Sequence, residues 1–471
     1  MFWCVSECFK APLWVAGLTS ISLVSLSDVV TMYIGSGWPD HHGLMTLLFV
    51  LTLGLSIRIA AGEAHKWDFL SFGLAQALAV WISPESFVPM VALYGGLVLV
   101  WLVEGCDERA KTSLLSSLVL VLGVALALCL EYGLTWPGFV LDRLSLFSLL
   151  LAGVMSAVWA GIWFCPKPLN RSILLRCVWV LGLSLVGSVT IIVLVPHVLS
   201  GPMAEADVWF VTTWSEVFGD GFRRVIWDGW VLVVLALACL LVLYKRKPTL
   251  CLALAPILLM SGVLSEVDSP RWIVYGKIVA IMVMVYGFSF LWPRLTALGD
   301  GIAAILARAC SLSFVLLAPL ILTYILTLWD GPSLMAGPVQ TPSASQPCSV
   351  QSLLPFLEAQ PHTRLLTHAN VSPAFLYFSK HDVMAVPIHP NAKAVHDSVR
   401  ILIGNNDATA LGLLKKYGIG LIIMCATGHE NIAYGSTHDG LYARALRGQG
   451  PKWLQPLETP QSAFRVFAVQ N

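Results

Sequence analysis

The chain has 471 residues, of which 57% are hydrophobic and only 12% are charged. A soluble globular domain carries about twice that charged fraction. The composition therefore excludes a soluble protein and predicts one that crosses a lipid bilayer several times. The formal net charge is +1 and no basic cluster exceeds Lys245–Lys247, so the sequence gives no reason to expect a nucleic acid partner.

Apolar segments long enough to be membrane spans follow one another before residue 330. They lie at 11–34, 43–61, 67–83, 85–103, 112–130, 146–164, 174–199, 228–244, 249–265, 271–291 and 301–328. Most match the roughly 20 helical residues that a bilayer core requires, whereas 67–83 and 85–103 are shorter and are typical of a hairpin. Met1–Lys10 is too short and too weakly basic to begin a signal peptide, so the first segment is expected to be retained. The fold class predicted for this part is an all-α polytopic membrane domain of about 11 transmembrane helices.

Basic residues predict the orientation, because cytoplasmic loops of membrane proteins are enriched in Lys and Arg. If Lys10 is cytoplasmic, twelve basic residues lie in inner loops or at inner span ends. Only four lie on the opposite side: Arg143, Arg223, Arg224 and Arg271. We therefore expect a cytoplasmic N-terminus, with Asp40–His42 and everything after Trp329 outside.

The composition changes near residue 330. Gly331–Pro347 is rich in Pro, Ser and Gly, which is typical of a linker. Beyond it we predict strands and short helices of a small α/β domain with parallel pairing. The predicted strands are Arg364–Thr367, Val383–Ile388, Ile419–Cys425 and Phe464–Val469, and the predicted helices are Pro373–Phe378 and Asp407–Tyr417. The expected domains are 1–330 in the membrane, 331–349 as linker and 350–471 as an external domain.

Cysteine and histidine spacing predicts no structural zinc site. Of eleven Cys, only Cys348 and Cys425 fall in the predicted external part, so at most one disulfide is expected there. Seven His follow residue 360, but their spacing matches no ligand motif, and surface or capping roles are favoured.

Asp40, His41 and His42 stand between two apolar segments, within the sequence GSGWPDHHG. Such side chains are costly in hydrocarbon, so they are expected at a membrane surface or in a wet cavity. A carboxylate and two imidazoles can bind a divalent cation. The alternative is a helix start in which Asp40 caps the backbone N–H groups of the next helix, and the triplet alone does not decide between the two.

The other outer loops also carry charged residues. Glu85 follows Trp81 at a span end, Asp142 and Arg143 precede a span, and Glu216 and Arg271 lie in later loops. Taken singly, each of these residues has an ordinary structural explanation, such as a surface ion pair, a helix cap, a place on an interfacial helix or a snorkelling anchor. Taken together, they would suit a metal-bridged phosphate and its sugar, with Arg contacting the oxygens.

The order of these motifs resembles the GT-C superfamily of polyprenyl-phosphate-dependent membrane glycosyltransferases. It is most similar to bacterial inner-membrane proteins related to oligosaccharyltransferase catalytic subunits. The resemblance rests on Pro39–Gly43, Trp81–Glu85, Asp142–Ser145, Gly201–Pro202, Trp214–Glu216, Arg271–Trp272 with Tyr275, and, after the linker, His381–Ala385 and Pro387–Asn391.

The resemblance implies sugar transfer at the outer face of a bacterial inner membrane, with the C-terminal domain in the periplasm. The donor would be a polyprenyl-phosphate-linked sugar, with Mg²⁺ or Mn²⁺ on its phosphate. Asp40 and His41 would take the catalytic roles, and Asp40 and His42 would bind the metal. Candidates for contact with donor or acceptor are Glu85, Asp142, Arg143, Glu216 and Arg271.

One departure from the family pattern concerns the residues before Asp40. Members of the superfamily have an earlier acidic outer loop, whereas here the only preceding acids are Glu7 and Asp28. A non-catalytic relative or a truncated fragment is therefore the alternative to a glycosyltransferase. A transporter is the third reading, which the scarcity of charges within the spans and the lack of an evident inverted repeat disfavour.

Overall fold

The computed structural model of the chain describes residues 3–8, 10–26, 41–200, 219–267, 272–290, 292–297, 299, 301–302, 305–306, 348–369, 371–386, 391–426, 439–459 and 463–470. The described residues fall into two compact units. One contains the helices between Leu13 and Thr296, and the other contains the residues from Cys348 to Gln470. The domain limits expected from the sequence, including the linker at 331–349, stay a prediction.

Helices make up the first unit, which we call the helical unit. Their bounds are α1 Leu13–Leu26, α2 His42–Ala61, α3 Asp68–Ile82, α4 Phe87–Glu104, α5 Asp107–Tyr132, α6 Leu146–Trp163, α7 Ile173–Leu194, α8 Gly219–Tyr244, α9 Pro248–Val267, α10 Ile273–Ser289 and α11 Trp292–Thr296. A short 3₁₀ turn at Pro84–Ser86 joins α3 to α4.

Seven helical segments among the described residues are long and apolar enough to cross a membrane. They are His42–Ala61, Pro84–Glu104, Asp107–Tyr132, Leu146–Trp163, Ile173–Leu194, Pro248–Ser265 and Ile273–Thr296. Shorter apolar stretches at Leu13–Ser22, Asp68–Ile82 and Leu232–Tyr244 fall on three more of the predicted segments. The polytopic helical architecture is confirmed. The count of about 11 spans is not, because these three are short and the predicted segment 301–328 lies almost wholly outside the described residues.

Burial separates central from peripheral helices. Fourteen of the seventeen residues of α10 are buried, so this helix runs through the middle of the helical unit. By contrast, α7 buries only Arg176, Val180 and Gly187 and exposes many large apolar side chains. Such a surface is favourable in hydrocarbon and costly in water, so α7 is suited to face lipid.

Close contact between α3 and α5 depends on small residues. A Cβ atom added to Gly73 would lie 2.6 Å from Cβ of Val119, which is closer than side chains normally pack. Small residues allow helix backbones to approach in membranes, where dispersion contacts rather than water exclusion drive association. The contact brings the ends of the two helices together, where Nε1 of Trp81 donates to Oε2 of Glu131 at 2.9 Å.

The second unit is an α/β unit. Its bounds are α12 Val350–Ala359, β1 Arg364–Leu366, α13 Ser372–Phe378, β2 Asp382–Val383, α14 Ala392–Ile403, α15 Asp407–Tyr417, β3 Ile419–Cys425, α16 Leu441–Leu446, β4 Leu454–Leu457 and β5 Phe464–Val469. Apolar side chains on one sheet face pack with α12 and α13, and those on the other face pack with α14, α15 and α16.

The sheet has the order β2-β1-β3-β5-β4 and is mixed. β1 pairs in parallel with β2 and β3, as expected from the strand–helix alternation. The expectation of parallel pairing was wrong for β5, which pairs antiparallel with β3 and with β4, a strand that the sequence analysis did not predict. Only six residues separate β4 from β5, and antiparallel strands can be joined by so short a connection whereas parallel strands cannot.

Two further details of the α/β unit bear on the sequence analysis. The strand predicted at Val383–Ile388 is confined to Asp382–Val383, and residues 387–390 lie outside the described part of the chain. A disulfide joins Cys348 to Cys425 with a Cα–Cα distance of 6.0 Å, so the single bridge that the sequence allowed is present.

Candidate functional site

One end of the helical unit carries His41, His42 and Glu85, the described candidate residues of the first two loops that were predicted to be outside. We call it the site end, where α2 begins, α3 ends, and α4 and α10 begin. A small cavity shows that these ends meet, since Met45, Ala79, Ser86 and Tyr275 all line it. Met45 follows the two His of α2 within a turn, and Ser86 directly follows Glu85. The fold therefore brings His41, His42 and Glu85 to the same end of the unit.

His41 and His42 form the start of α2. Their ring centroids are 4.4 Å apart and the rings are tilted by 31°. His41 takes the N-cap position with φ −66° and ψ −16°, and its side chain makes no capping hydrogen bond. Asp40 lies outside the described residues, so its proposed metal contact and the alternative capping role both stay predictions.

The turn Pro84–Ser86 fixes the position of Glu85. Ser83 is extended, the backbone N–H of Ser86 donates to the Ser83 carbonyl at 3.0 Å, and Oγ of Ser86 donates to the Ala79 carbonyl at 2.9 Å. These bonds tie the turn back to the last residues of α3. The backbone of Glu85 is thereby held at the end of α3.

Asp142 and Arg143 pair with each other just before α6. Nε of Arg143 lies 3.2 Å from Oδ1 of Asp142, and the side chains are 46% and 12% exposed respectively. The helix cap here is Ser145, whose Oγ accepts from the backbone N–H of Phe147 at 3.1 Å. The ion pair considered as an alternative is thus present, and a role in substrate contact stays a prediction.

No group of three or more metal-ligating side chains occurs among the described residues. Of the two residues predicted to bind the metal, His42 is described and Asp40 lies outside the described part of the chain. The catalytic candidate His41 is described beside it, whereas the substrate-contact candidates Glu216 and Arg271 are not described. Two adjacent imidazoles do not form a complete site for Mg²⁺ or Mn²⁺, which prefer oxygen ligands. The described residues therefore do not by themselves fit a bound metal.

Lys277 is a candidate that the sequence analysis missed. It lies in α10, two residues after Tyr275, and is only 3% exposed. A signal was available, because an ionisable side chain within an apolar span of this length is a functional-site candidate by default. At about 6 Å along the helix from Ile273, Lys277 lies close to the site end.

Two His of the α/β unit, His368 and His381, are buried. The His381 ring bridges two segments, with Nε2 2.8 Å from the Leu357 carbonyl oxygen and Nδ1 3.2 Å from the backbone nitrogen of Thr363. Burial lowers the pKa of His368 to about 4, because the charged imidazolium loses its hydration there, so this ring is neutral at pH 7. The His381 contacts give that ring a structural role, and His368 is a buried neutral ring.

Comparison with solved structures shows the same fold along the whole chain. A structure of the archaeal oligosaccharyltransferase AglB from Archaeoglobus fulgidus, in complex with an inhibitory peptide and a dolichol-phosphate, covers 100% of this chain with a TM-score of 0.58 and 12% identity. The apo form of the Archaeoglobus fulgidus oligosaccharyltransferase covers 97% with a TM-score of 0.61 and 14% identity. This chain shares its fold with an oligosaccharyltransferase. The resemblance to oligosaccharyltransferases inferred from the motifs is thereby confirmed at the level of fold.

The chain is shorter than the oligosaccharyltransferases whose fold it shares. The chain spans 61% and 60% of the lengths of these two structures. No family of known sequences and no curated protein matches it. A third structure of the Archaeoglobus fulgidus oligosaccharyltransferase is a complex with Zn and sulfate, and a fourth is tethered to an acceptor peptide containing the NVT sequon. Those ligands belong to that protein.

Proposed function

We propose that the chain is a GT-C-type membrane glycosyltransferase, which moves a sugar from a polyprenyl-phosphate-linked donor to an acceptor at the outer face of the membrane. The observation that carries the proposal is a fold shared over 100% of the chain with an oligosaccharyltransferase whose structure contains a dolichol-phosphate. Further support comes from the site end, where the imidazoles of His41 and His42 and the carboxylate of Glu85 are placed by adjoining helix ends.

The proposed chemistry assigns each group a step. The bond between the sugar C1 and the phosphate oxygen breaks, a bond from the acceptor to C1 forms, and the phosphate leaves with the electron pair. The acceptor proton goes to a general base, for which Asp40 or His41 is the candidate. Cationic side chains stabilise the leaving phosphate, and we assign this role to Arg271 and to Lys277.

A divalent cation bound by Asp40 and His42 would neutralise charge on the donor phosphate. Glu85, Asp142, Arg143 and Glu216 remain the candidates for contact with the sugar or the acceptor. The competing proposal is a GT-C-like scaffold without catalysis. The two proposals differ in what Asp40 does.

Asp40→Asn is expected to weaken Mn²⁺ binding by about 10–100-fold, the usual effect of losing one ligand or one of its hydrogen-bonding partners. The change keeps the size of the side chain and one acceptor oxygen but removes the charge. The measurement is a Mn²⁺ titration of purified full-length protein in lipid nanodiscs, with polyprenyl phosphate present, followed by loss of the free-ion electron paramagnetic resonance signal.

Glu63→Gln supplies the matched control for this titration. Glu63 is an exposed acid at the opposite end of α2 and pairs with Lys10, so its neutralisation should leave Mn²⁺ affinity unchanged. Under the capping alternative Asp40→Asn would be silent, because Asn caps helices about as well as Asp. Equal Mn²⁺ affinity in the parent and in Asp40→Asn, or no binding in either, would contradict the proposed metal role.

An outer location for the site and for the α/β unit is also part of the proposal. The bias of basic residues supports it. The disulfide between Cys348 and Cys425 supports it independently, because disulfides persist in the periplasm and are rare in the cytosol.

Reporter fusions test this topology. Alkaline phosphatase, which is active only outside the cytoplasm, should be active when fused after Asn471 and inactive when fused after Lys247. Green fluorescent protein at the same two positions should give the opposite pattern and controls for expression. Phosphatase activity after Lys247 but not after Asn471 would invert the topology and place the proposed site on the wrong side of the membrane.

A further inference from the structure

Gln76 is a buried amide for which no described residue supplies a partner. It lies in α3, six residues before Ile82, and is only 1% exposed. Neither Nε2 nor Oε1 makes a hydrogen bond with a described residue. Buried polar groups are nearly always satisfied, and an unpaired amide inside an apolar helical unit is costly. Gln76 therefore points to a ligand that donates and accepts hydrogen bonds.

The cavity at the site end is next to this amide. Gln76 lines it together with Thr52, Ser86 and Tyr275, and apolar side chains, among them Met45 and Met90, complete the wall. The cavity volume is about 20 Å³. One water molecule needs about 10–15 Å³ on this measure, so the space suits one or two waters.

The hydroxyl groups of the wall have hydrogen-bonding capacity left over. Oγ1 of Thr52 directs its only hydrogen at the carbonyls of its own helix, 2.9 Å from the Leu48 oxygen. Oγ of Ser86 donates to the Ala79 oxygen. Each hydroxyl oxygen can still accept. A water in the cavity could donate to these oxygens or to Oε1 of Gln76 and accept from Nε2, which supplies the two to four partners that a buried water needs.

We propose that Gln76 and this cavity form a site for ordered water inside the helical unit, beneath the helix ends that carry His41 and Glu85. The water joins α3 through Gln76 to α2 through Thr52 and to the Pro84–Ser86 turn through Ser86. It thereby links the elements that position the candidate site residues. This water site does not depend on glycosyl transfer and would be present equally in a scaffold without catalysis.

X-ray radiolytic labelling with mass spectrometry tests the site in the intact protein. Radicals produced from a bound water oxidise adjacent side chains even where bulk solvent is excluded, and Met is readily oxidised. Met45 and Met90 line the cavity and are 3% and 2% exposed, whereas Met282 is 0% exposed and does not line it. We expect Met45 and Met90 to be oxidised on the order of ten times faster than Met282.

Two variants test the role of the amide. Gln76→Leu keeps a similar volume without polar atoms and should lower oxidation of Met45 and Met90 to the rate of Met282. Ser148→Ala is the matched control, because Ser148 is also buried and its hydroxyl has no partner among the described residues, but it does not line the cavity. This variant should change nothing.

Two results would overturn the proposal. One is equal oxidation of Met45, Met90 and Met282 in the parent protein, a comparison that needs no variant and so stands even if Gln76→Leu fails to fold. The other is unchanged oxidation of Met45 and Met90 in a folded Gln76→Leu protein, which would show that bulk water reaches them without the amide.

Discussion

Asp68→Ala should lower the free energy of unfolding of the helical unit by about 3–5 kcal/mol, the usual cost of removing one partner of a buried ion pair. Nη2 of Arg58, near the end of α2, lies 3.1 Å from Oδ2 of Asp68, the first residue of α3, and the two side chains are only 11% and 10% exposed. Asp68 also accepts a hydrogen bond from the backbone N–H of His65 at 2.8 Å. Truncation leaves the Arg58 charge buried without this partner. Equilibrium unfolding in mixed detergent micelles, followed by Trp fluorescence, measures the loss.

An exposed ion pair nearby provides the comparison. Nζ of Lys10 lies 3.6 Å from Oε2 of Glu63, and the two side chains are 61% and 47% exposed. Glu63→Ala should lower the free energy of unfolding by less than about 1 kcal/mol, because water screens the pair. The double variant Arg58→Met with Asp68→Leu should recover most of the stability, since no unpaired charge remains. A loss for Asp68→Ala no larger than that for Glu63→Ala would show that the Arg58–Asp68 pair is not effectively buried.

Removal of the disulfide should have a comparable effect on the α/β unit. Cys348 and Cys425 are separated by 77 residues, and a closed loop of that length corresponds to about 4.5 kcal/mol of lost chain entropy in the unfolded state. The bond also anchors the residues just before α12 to the end of β3. The double variant Cys348→Ala with Cys425→Ala, in the full-length protein, should therefore unfold at a lower temperature in its α/β unit.

Thermal unfolding of this double variant is best compared with that of the parent in the presence and absence of reductant. The parent should lose stability on reduction, and the double variant should not respond. Cys129→Ala is the control, because Cys129 is an exposed free cysteine in α5 and its removal should leave the transition unchanged. Rapid alkylation of both Cys348 and Cys425 in the folded, unreduced parent would contradict the presence of the bond.

Local sequence determined those helices and strands whose ends are marked by capping residues or glycine. The helix Asp407–Tyr417 and the strand Ile419–Cys425 have the bounds predicted from the sequence. The side chain of Asn406 caps the helix by accepting from the backbone N–H of Thr409 at 3.0 Å, and Gly418 ends it with φ of +64°. Capping residues and left-handed glycines act within a few residues, so a local pattern is sufficient to locate them.

The apolar segments of the first 300 residues were determined in the same way. A long uncharged run must satisfy its own backbone hydrogen bonds in hydrocarbon, so it forms a helix whatever its neighbours are. Ten of the predicted segments coincide with described apolar helices for this reason. Sequence also reduced the disulfide to one pair, because only Cys348 and Cys425 lie beyond the spans.

Only the tertiary structure decided which polar groups meet. Trp81 pairs with Glu131, fifty residues away, and Gln76 turns into a cavity, because the rotation of each helix about its axis depends on close packing such as that at Gly73. The antiparallel pairing of β5 was also decided there. The pattern of apolar residues predicts a helix or a strand and its apolar face. The element that packs against this face is determined by contacts between segments distant in sequence, and a local pattern does not contain that information.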